Sequence, residues 1–243
     1  MIIPKPSDVQ HKYYLLRLLR AILADKDLRI RLQFKGGTYA SLRGVLDRFS
    51  VDLDFDLPEK SEIKKIRSAC EGIFHKLGLQ IKDESQNYLQ FFLRYPAGEY
   101  KRNTLKLEIN DSPSIKNMYE KVYLQELNMY CSGQTLETMM ANKLVAAMAR
   151  FDRNKKIAGR DFYDLHQFFL AGCAVRKEVV EDLTSMSYVK YLKKLIRFIQ
   201  GQVTERLLNQ DLNPLLETDK LNQVLKILKP ELISLIEDEI KRS

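Results

Sequence analysis

From Ser50 to Leu57 the chain alternates polar and apolar residues, Ser-Val-Asp-Leu-Asp-Phe-Asp-Leu. A period of two is the pattern of a half-buried strand. It puts Asp52, Asp54 and Asp56 on one face and Val51, Leu53 and Phe55 on the other. Carboxylates two residues apart on a strand have roots roughly 7 Å apart, near enough to converge on one divalent cation or a close pair. The plainer reading of such a face is that it is simply solvated. Just upstream lies Phe34-Lys-Gly-Gly-Thr-Tyr-Ala-Ser-Leu-Arg43. Gly36 and Gly37 let the backbone approach a phosphate closely, and Thr38 is expected to cap a helix that begins at Tyr39. The amide hydrogens at such a helix start would face an anion.

A lone Gly-Gly or a lone D-x-D is weak, but strand, Gly-Gly-Thr, short helix and acidic strand in that order are specific. Over Phe34 to Phe55 the order resembles the polymerase β-like nucleotidyltransferase superfamily. That superfamily carries a third acid on a later strand, and Asn103-Thr-Leu-Lys-Leu-Glu-Ile-Asn110 offers Glu108. Leu105, Leu107 and Ile109 alternate there with Lys106, Glu108 and Asn110. An exposed glutamate paired with a lysine is the bland alternative for Glu108. Further on, Leu136 to Arg150 reads as a helix capped by Thr135, with Lys143, Ala147 and Arg150 in one line on an otherwise apolar surface. Snorkelling to solvent would also explain Lys143. Gly159-Arg-Asp-Phe-Tyr-Asp-Leu-His then places Asp161 and Asp164 on one helix face.

Taken in order, these elements resemble the AbiEii-type nucleotidyltransferase toxins of bacterial type IV toxin–antitoxin and abortive-infection systems. The K-G-G-T turn is Lys35, Gly36, Gly37 and Thr38. The R-F-S-x-D-x-D strand is Arg48, Phe49, Ser50, Asp52 and Asp54. Lys106 and Glu108 stand on the later strand, Glu137 and Lys143 on the first helix, and Arg160, Asp161 and Asp164 on the second. The likeness covers roughly residues 30 to 170; nothing from Arg176 to Ser243 matches a motif. The resemblance implies a metal-dependent transfer of a nucleotidyl group from a nucleoside triphosphate to an acceptor, in characterised members the 3′ end of tRNA. It implies Mg²⁺ or Mn²⁺ held by Asp52, Asp54 and Glu108, with Glu108 alternatively taking the acceptor proton. Lys35, Gly36, Gly37, Thr38, Arg48, Ser50, Lys106, Arg160 and Asp164 would surround the nucleotide. Lys143 would neutralise the triphosphate, and Asp161 would orient Lys143 or touch the nucleotide. A cognate antitoxin is the expected protein partner. Two other functions stay open: a nucleotide- or RNA-binding module without turnover, and transfer to a protein hydroxyl.

The formal charge of +8 over 243 residues leans toward a polyanionic partner. Two clusters concentrate it: Arg150, Arg153, Lys155, Lys156 and Arg160 around a loop, and Lys190, Lys193, Lys194 and Arg197 on a helix. The first, joining the helices of Lys143 and Asp161, is the better candidate to touch RNA. The second reads as a solvated face, with Tyr188 and Tyr191 beside it available to stack on a base. Three widely spaced cysteines, Cys70, Cys131 and Cys173, suggest neither a disulfide framework nor zinc. The scattered histidines His11, His75 and His166 carry no motif. With neither a signal peptide at the N-terminus nor an apolar run of membrane-spanning length, a cytoplasmic protein without a membrane partner is expected.

The expected architecture is α+β: a polymerase β-like nucleotidyltransferase lobe with a small mixed sheet over 1–133, then a helical lobe over 134–243. A first helix spans Asp8 to Ala24, with Ser7 as its cap and Leu15, Leu16, Leu19, Ile22 and Leu23 turned inward. Strands are expected near Arg31 to Lys35, Val51 to Leu57, Tyr88 to Tyr95 and Thr104 to Asn110, with a helix over Glu62 to Leu77. A boundary at 131–135 separates the lobes, and the cleft between them is expected to hold the nucleotide. In the helical lobe Pro214 and Pro230 are expected to break helices.

Overall fold

A computed structural model of the chain describes residues 5–6, 8–59, 62–98 and 102–243; the expected cap Ser7 lies outside them. The chain divides after Thr135 into two compact units. Helix α1 (Asp8–Ala24) opens the first. Its inward stripe is Leu15, Leu18, Leu19, Ile22 and Leu23, each no more than 2% exposed. Leu18 stands where Leu16 was expected, the choice that keeps an i, i+3, i+4, i+7 spacing. A short helix, α2 (Lys26–Arg31), follows, its start capped by the Asp25 carboxylate.

The sheet is then laid down out of chain order. Strand β1 (Gln33–Lys35) runs directly into α3 (Gly36–Leu42), and β2 (Asp52–Asp56) returns antiparallel to β1. Helix α4 (Ile63–Leu77) stops at Gly78, whose φ of +68° closes the helix in the left-handed region that glycine occupies without strain. Its buried positions are Ile66, Cys70, Ile73 and Phe74. Strands β3 (Gln80–Glu84), β4 (Leu89–Arg94), β5 (Thr104–Asn110), β6 (Tyr119–Leu124) and β7 (Met129–Gln134) complete a mixed sheet in the order β3-β4-β5-β2-β1-β7-β6. Strands β2 and β5 pair in parallel, as do β1 and β7. The strand carrying the aspartates is therefore central, flanked on both sides, which holds its side chains in fixed register. Phe34, Phe55 and Tyr39 pack together beneath it, with Phe34 and Phe55 stacked at 4.9 Å.

His11 is fully buried, with Nδ1 2.9 Å from the Tyr95 hydroxyl and Nε2 2.9 Å from the Val51 carbonyl oxygen. Burial pulls its pKa down to about 4. The unfolded chain, with an ordinary imidazole near 6.5, therefore binds more protons than the folded one between those values, and stability falls as pH falls through that window. We expect a loss of about 3 kcal/mol between pH 7 and pH 4 from this group. Urea titrations of the protein and of His11→Gln across that range check it: the variant's curve should be flatter.

The second unit is helical: α5 (Leu136–Asn154), α6 (Gly159–Leu170), α7 (Lys177–Thr184), α8 (Tyr188–Gln202), α9 (Glu205–Leu212) and α10 (Thr218–Arg242). Helix α6 is set close against α9: the Gly159 N–H donates to Asp211 Oδ2 at 2.6 Å, and a Cβ at Gly159 would meet the Leu207 carbonyl at 3.1 Å. Pro230 does not break the chain as expected but sits inside α10. Proline removes one N–H and crowds the carbonyl a turn back. Leu221, Val224, Leu228, Leu232 and Ile236 form one buried stripe through it, and Lys229 Nζ donates to the carbonyls of Gln200 and Val203 at the end of α8. Anchoring on both sides of the proline keeps the helix continuous. Among the described residues no helix is long and apolar enough to cross a membrane.

Candidate active site

The register of the central strands builds the site. Lys35 on β1 stands opposite Asp54 on β2, and Asp54 stands opposite Glu108 on β5, which in turn faces Gln90 on β4. Two positions along, Asp52 faces Lys106. Directly paired residues point to the same side of a sheet, so Lys35, Asp54, Glu108 and Gln90 form one row, with Asp52 and Lys106 in the next. Asp52, Asp54 and Glu108 therefore lie on one face of the sheet.

The glycine turn has a steric reason. Gly36 has φ +81°, and a Cβ there would lie 2.3 Å from Asp54 Oδ2; a Cβ on Gly37 would lie 2.9 Å from Arg48 Nη2 and 3.0 Å from Ser50 Oγ. The backbone thus lies flush against three of the expected site side chains. Gly36→Ala combines a left-handed backbone with a clash onto the Asp54 carboxylate. We expect it to cost about 2 kcal/mol of stability and to reduce transfer about 100-fold by displacing Asp54, measured by urea denaturation and single-turnover rates. Thr38 is not the helix cap expected from sequence. The helix begins two residues earlier, at Gly36, and the buried Thr38 hydroxyl donates to the Asp52 carbonyl at 2.5 Å and lies 2.9 Å from Ser50 Oγ. It clamps the start of β2. Arg48 is also buried, its Nη1 donating to the Phe49 carbonyl at 2.9 Å.

Electrostatics divides the acids. Burial pushes the Asp54 carboxyl up to about 6, and the charges of Asp52 and Glu108 push the same way against the opposing pull of Lys35 and Lys106. Glu108 is raised by burial, but the hydrogen bond and charge of Lys106, with Gln90 and Lys35 behind them, outweigh it and hold the carboxyl below its ordinary value. Gln90 Nε2 donates to Glu108 Oε2 at 3.1 Å, the oxygen that Lys106 also binds. Among the described residues no three His, Cys, Asp or Glu side chains converge as a ready metal cage. Mg²⁺ and Mn²⁺ do not need one: Mg²⁺ keeps several waters and takes one or two carboxylates plus substrate phosphates. Asp52 and Asp54, two oxygen donors whose mutual repulsion a cation would relieve, fit such an ion.

Asp56, third on the strand, was read only as a member of the acidic face. It is 0% exposed and surrounded by donors: Lys35 Nζ at 2.6 Å, Gln134 Nε2 at 2.7 Å, Asn117 Nδ2 and the Tyr119 hydroxyl at 3.1 Å, and Asn110 Nδ2 at 3.3 Å. The hub anchors Lys35, whose charge acts on both Asp54 and Glu108. Its sequence signal was weak because its partners are scattered from 35 to 134.

The remaining expected residues form a separate cluster in the second unit. Lys143 Nζ on α5 lies 2.6 Å from Asp164 Oδ2 and 3.9 Å from Asp161 Oδ1, and Arg150 Nη2 lies 3.5 Å from Asp161 Oδ2. Asp161 and Asp164 are buried, and the i, i+3 spacing on α6 brings both to α5 as expected. Arg160 is half-buried on the first turn of α6, and Glu137 is exposed on that of α5. Tyr188 and Tyr191 are buried, not available for stacking: Tyr191 donates to the Leu144 carbonyl and Tyr188 to Glu239. Burial pushes the thiols of Cys70 and Cys131 up to about 12, which leaves them inert at neutral pH.

Comparison with curated proteins finds no match. Among solved structures the chain is similar to JHP933 from Helicobacter pylori, at 22% identity and a TM-score of 0.59 over 99% of this chain and 94% of that one. It is also similar to MenT4, a nucleotidyltransferase toxin from Mycobacterium tuberculosis H37Rv, at 18% identity and a TM-score of 0.54 over 97% and 87%. At such identities the likeness is one of fold. The family described as nucleotidyl transferase AbiEii toxin, type IV TA system, matches residues 17–230. That span takes in both the carboxylate rows and the Lys143 cluster, and by it the chain is a nucleotidyltransferase that belongs to the AbiEii toxin family of type IV toxin–antitoxin systems.

Proposed function

We propose that the protein transfers a nucleotidyl group from a nucleoside triphosphate to the 3′ end of tRNA in a divalent-metal-dependent reaction, and that a cognate antitoxin holds it in check. The observation that carries the reading is the row Lys35, Asp54, Glu108 with Asp52 and Lys106 alongside, three acids and two bases set on one sheet face by strand register. Asp52 and Asp54 would hold Mg²⁺ or Mn²⁺, with Glu108 close enough in the row to assist. A cation bound there would offset the triphosphate charge and stabilise the charge developing at the α-phosphorus.

In this reading the acceptor hydroxyl oxygen forms a bond to the α-phosphorus, the bond to the β-phosphate bridging oxygen breaks, and pyrophosphate leaves. Glu108, kept ionised by Lys106, takes the hydroxyl proton. Lys106 and Lys35 lie beside the acids as point charges for phosphate oxygens. The turn at Gly36 and Gly37 lets the backbone N–H groups approach the phosphates, with Thr38, Ser50 and Arg48 fixing it in place. Lys143, oriented by Asp161 and Asp164, adds charge against the triphosphate, and Arg160 adds to its contacts. Incubation with total tRNA, Mg²⁺ and each α-labelled triphosphate in turn, beside Asp52→Asn, tests the proposal. Label on RNA that is absent with the variant supports it; label on protein moves the acceptor to a protein hydroxyl; triphosphate binding without label anywhere sinks the catalytic reading in favour of a binding module.

A further inference from the structure

The basic face of α8 is more than a solvated stripe. Lys190, Lys194 and Arg197 fall at i, i+4 and i+7, so they share one side of the helix. They line a cavity of about 450 Å³, a size typical of small-molecule sites. The other side is largely apolar: Phe151 of α5 and Phe198 of α8 meet edge to face at 5.2 Å, with Met148 and Met186 adjoining and Gln202 beside them. Both phenylalanines are half-buried, and Phe198 is braced from behind by Phe162 at 6.3 Å. One acid, Asp152, sits in the lining 3.9 Å from Lys194, leaving a net excess of positive charge. An ordinary solvated lysine face does not surround a hollow floored by aromatic rings and thioethers. A planar, polarizable group with an anionic tail matches both parts: rings and methionines for the flat face, the cationic rim for the phosphate.

We propose that this cavity holds an unpaired nucleotide of the acceptor RNA, the base against Phe151 and Phe198 and the flanking phosphates on Lys190, Lys194 and Arg197. The proposal rests on RNA being the acceptor. Duplex RNA keeps its bases stacked inside and presents only backbone and grooves, so the cavity selects a single-stranded end or loop.

The test uses the full chain without triphosphate or metal, and fluorescence anisotropy with a short unstructured oligoribonucleotide, a blunt RNA duplex and the DNA counterpart of the strand. The substituted cations are exposed, so Lys190→Ala/Lys194→Ala/Arg197→Ala is expected to fold normally. It should weaken single-strand binding about tenfold and reduce the salt slope by about 2, the value for three released phosphate contacts on a single strand. Phe151→Leu keeps the apolar volume and removes the ring; it should weaken binding about tenfold with the salt slope unchanged. Asp54→Asn should bind the strand like the parent protein while losing transfer. Unchanged affinity in both cavity variants overturns the proposal, as does equal loss on the blunt duplex or the absence of strand binding by the parent protein. Tight DNA binding with equal losses in the variants overturns the RNA assignment. Loss of strand binding in the cavity variants while label from the triphosphate goes onto protein leaves the cavity standing and fails the transfer reading instead.

Discussion

Asp54→Asn is expected to lower nucleotidyl transfer about 10³-fold or more and, at the same time, to make the protein more stable. The two effects share one cause. The carboxyl is pushed up to about 6 by burial and by Asp52 and Glu108, so at neutral pH the folded chain bears the cost of ionising it. Relative to the unfolded value of 3.8, that cost is fully present above the folded pKa and vanishes below the unfolded one. Asparagine keeps the shape and removes the charge, and the gain is about 3 kcal/mol at pH 7, the net shift already including the attraction of Lys35 and Lys106. The same charge is what a divalent cation would need. Transfer rates and urea midpoints on one preparation check both halves. Retained transfer would remove Asp54 from the chemistry, whereas lost transfer with lower stability would mean that the variant fails through its fold.

Asp56→Ala should do the reverse, unfolding the protein before any chemistry is at issue. Removing this fully buried carboxylate takes away the acceptor shared by the partly exposed Lys35 ammonium, the Tyr119 hydroxyl and the amides of Asn110, Asn117 and Gln134. Deleting one partner of a buried ion pair costs about 3–5 kcal/mol, a large share of the 5–15 kcal/mol that typically holds a domain together. Asp56→Asn keeps the volume and one accepting oxygen, and should fall between. Equilibrium urea unfolding followed by far-UV circular dichroism measures all three proteins. A change below 1 kcal/mol for the alanine variant would show that water replaces the carboxylate and that the hub is not a keystone.

What could be read in advance was whatever repeats locally. Strand β2 announced itself by period two, α1 by its leucine spacing, and β5 by Leu105, Leu107 and Ile109; each matches the structure to within a residue. Strands β3, β6 and β7 were missed; Gln80–Glu84 and Tyr119–Leu124 lie at the two edges of the sheet, and their mostly exposed or part-exposed residues show no clean alternation of burial. The direct jump from Lys35 into a helix hid the true role of Thr38, since a cap and a clamp use the same hydroxyl. The burial of Tyr188 and Tyr191 follows from α8 turning its aromatic positions inward with Leu192 and Leu195, a rotation that amphipathic spacing allows but lysine-rich composition obscured. Among the candidate site residues, the strands that bring Asp52, Asp54 and Glu108 to one sheet face were legible from their alternation. That Lys35 belongs to the same row is a matter of β1 register, and that Asp56 is structural depends on residues nearly 80 positions downstream.

The chain order of the sheet also sets a clock. Strand β2 is made early, but its neighbour β5 ends at Asn110, and Gln134 of β7 supplies one of the donors to Asp56. A ribosome adding about 5–20 residues per second therefore spends several seconds with the aspartates already synthesised and the strands that align them still missing. During that interval the nascent chain carries the residues of the site without the site itself. A chain truncated by premature termination before residue 134 would lack Gln134 of β7, one of the donors that hold Asp56 at the end of the aspartate strand.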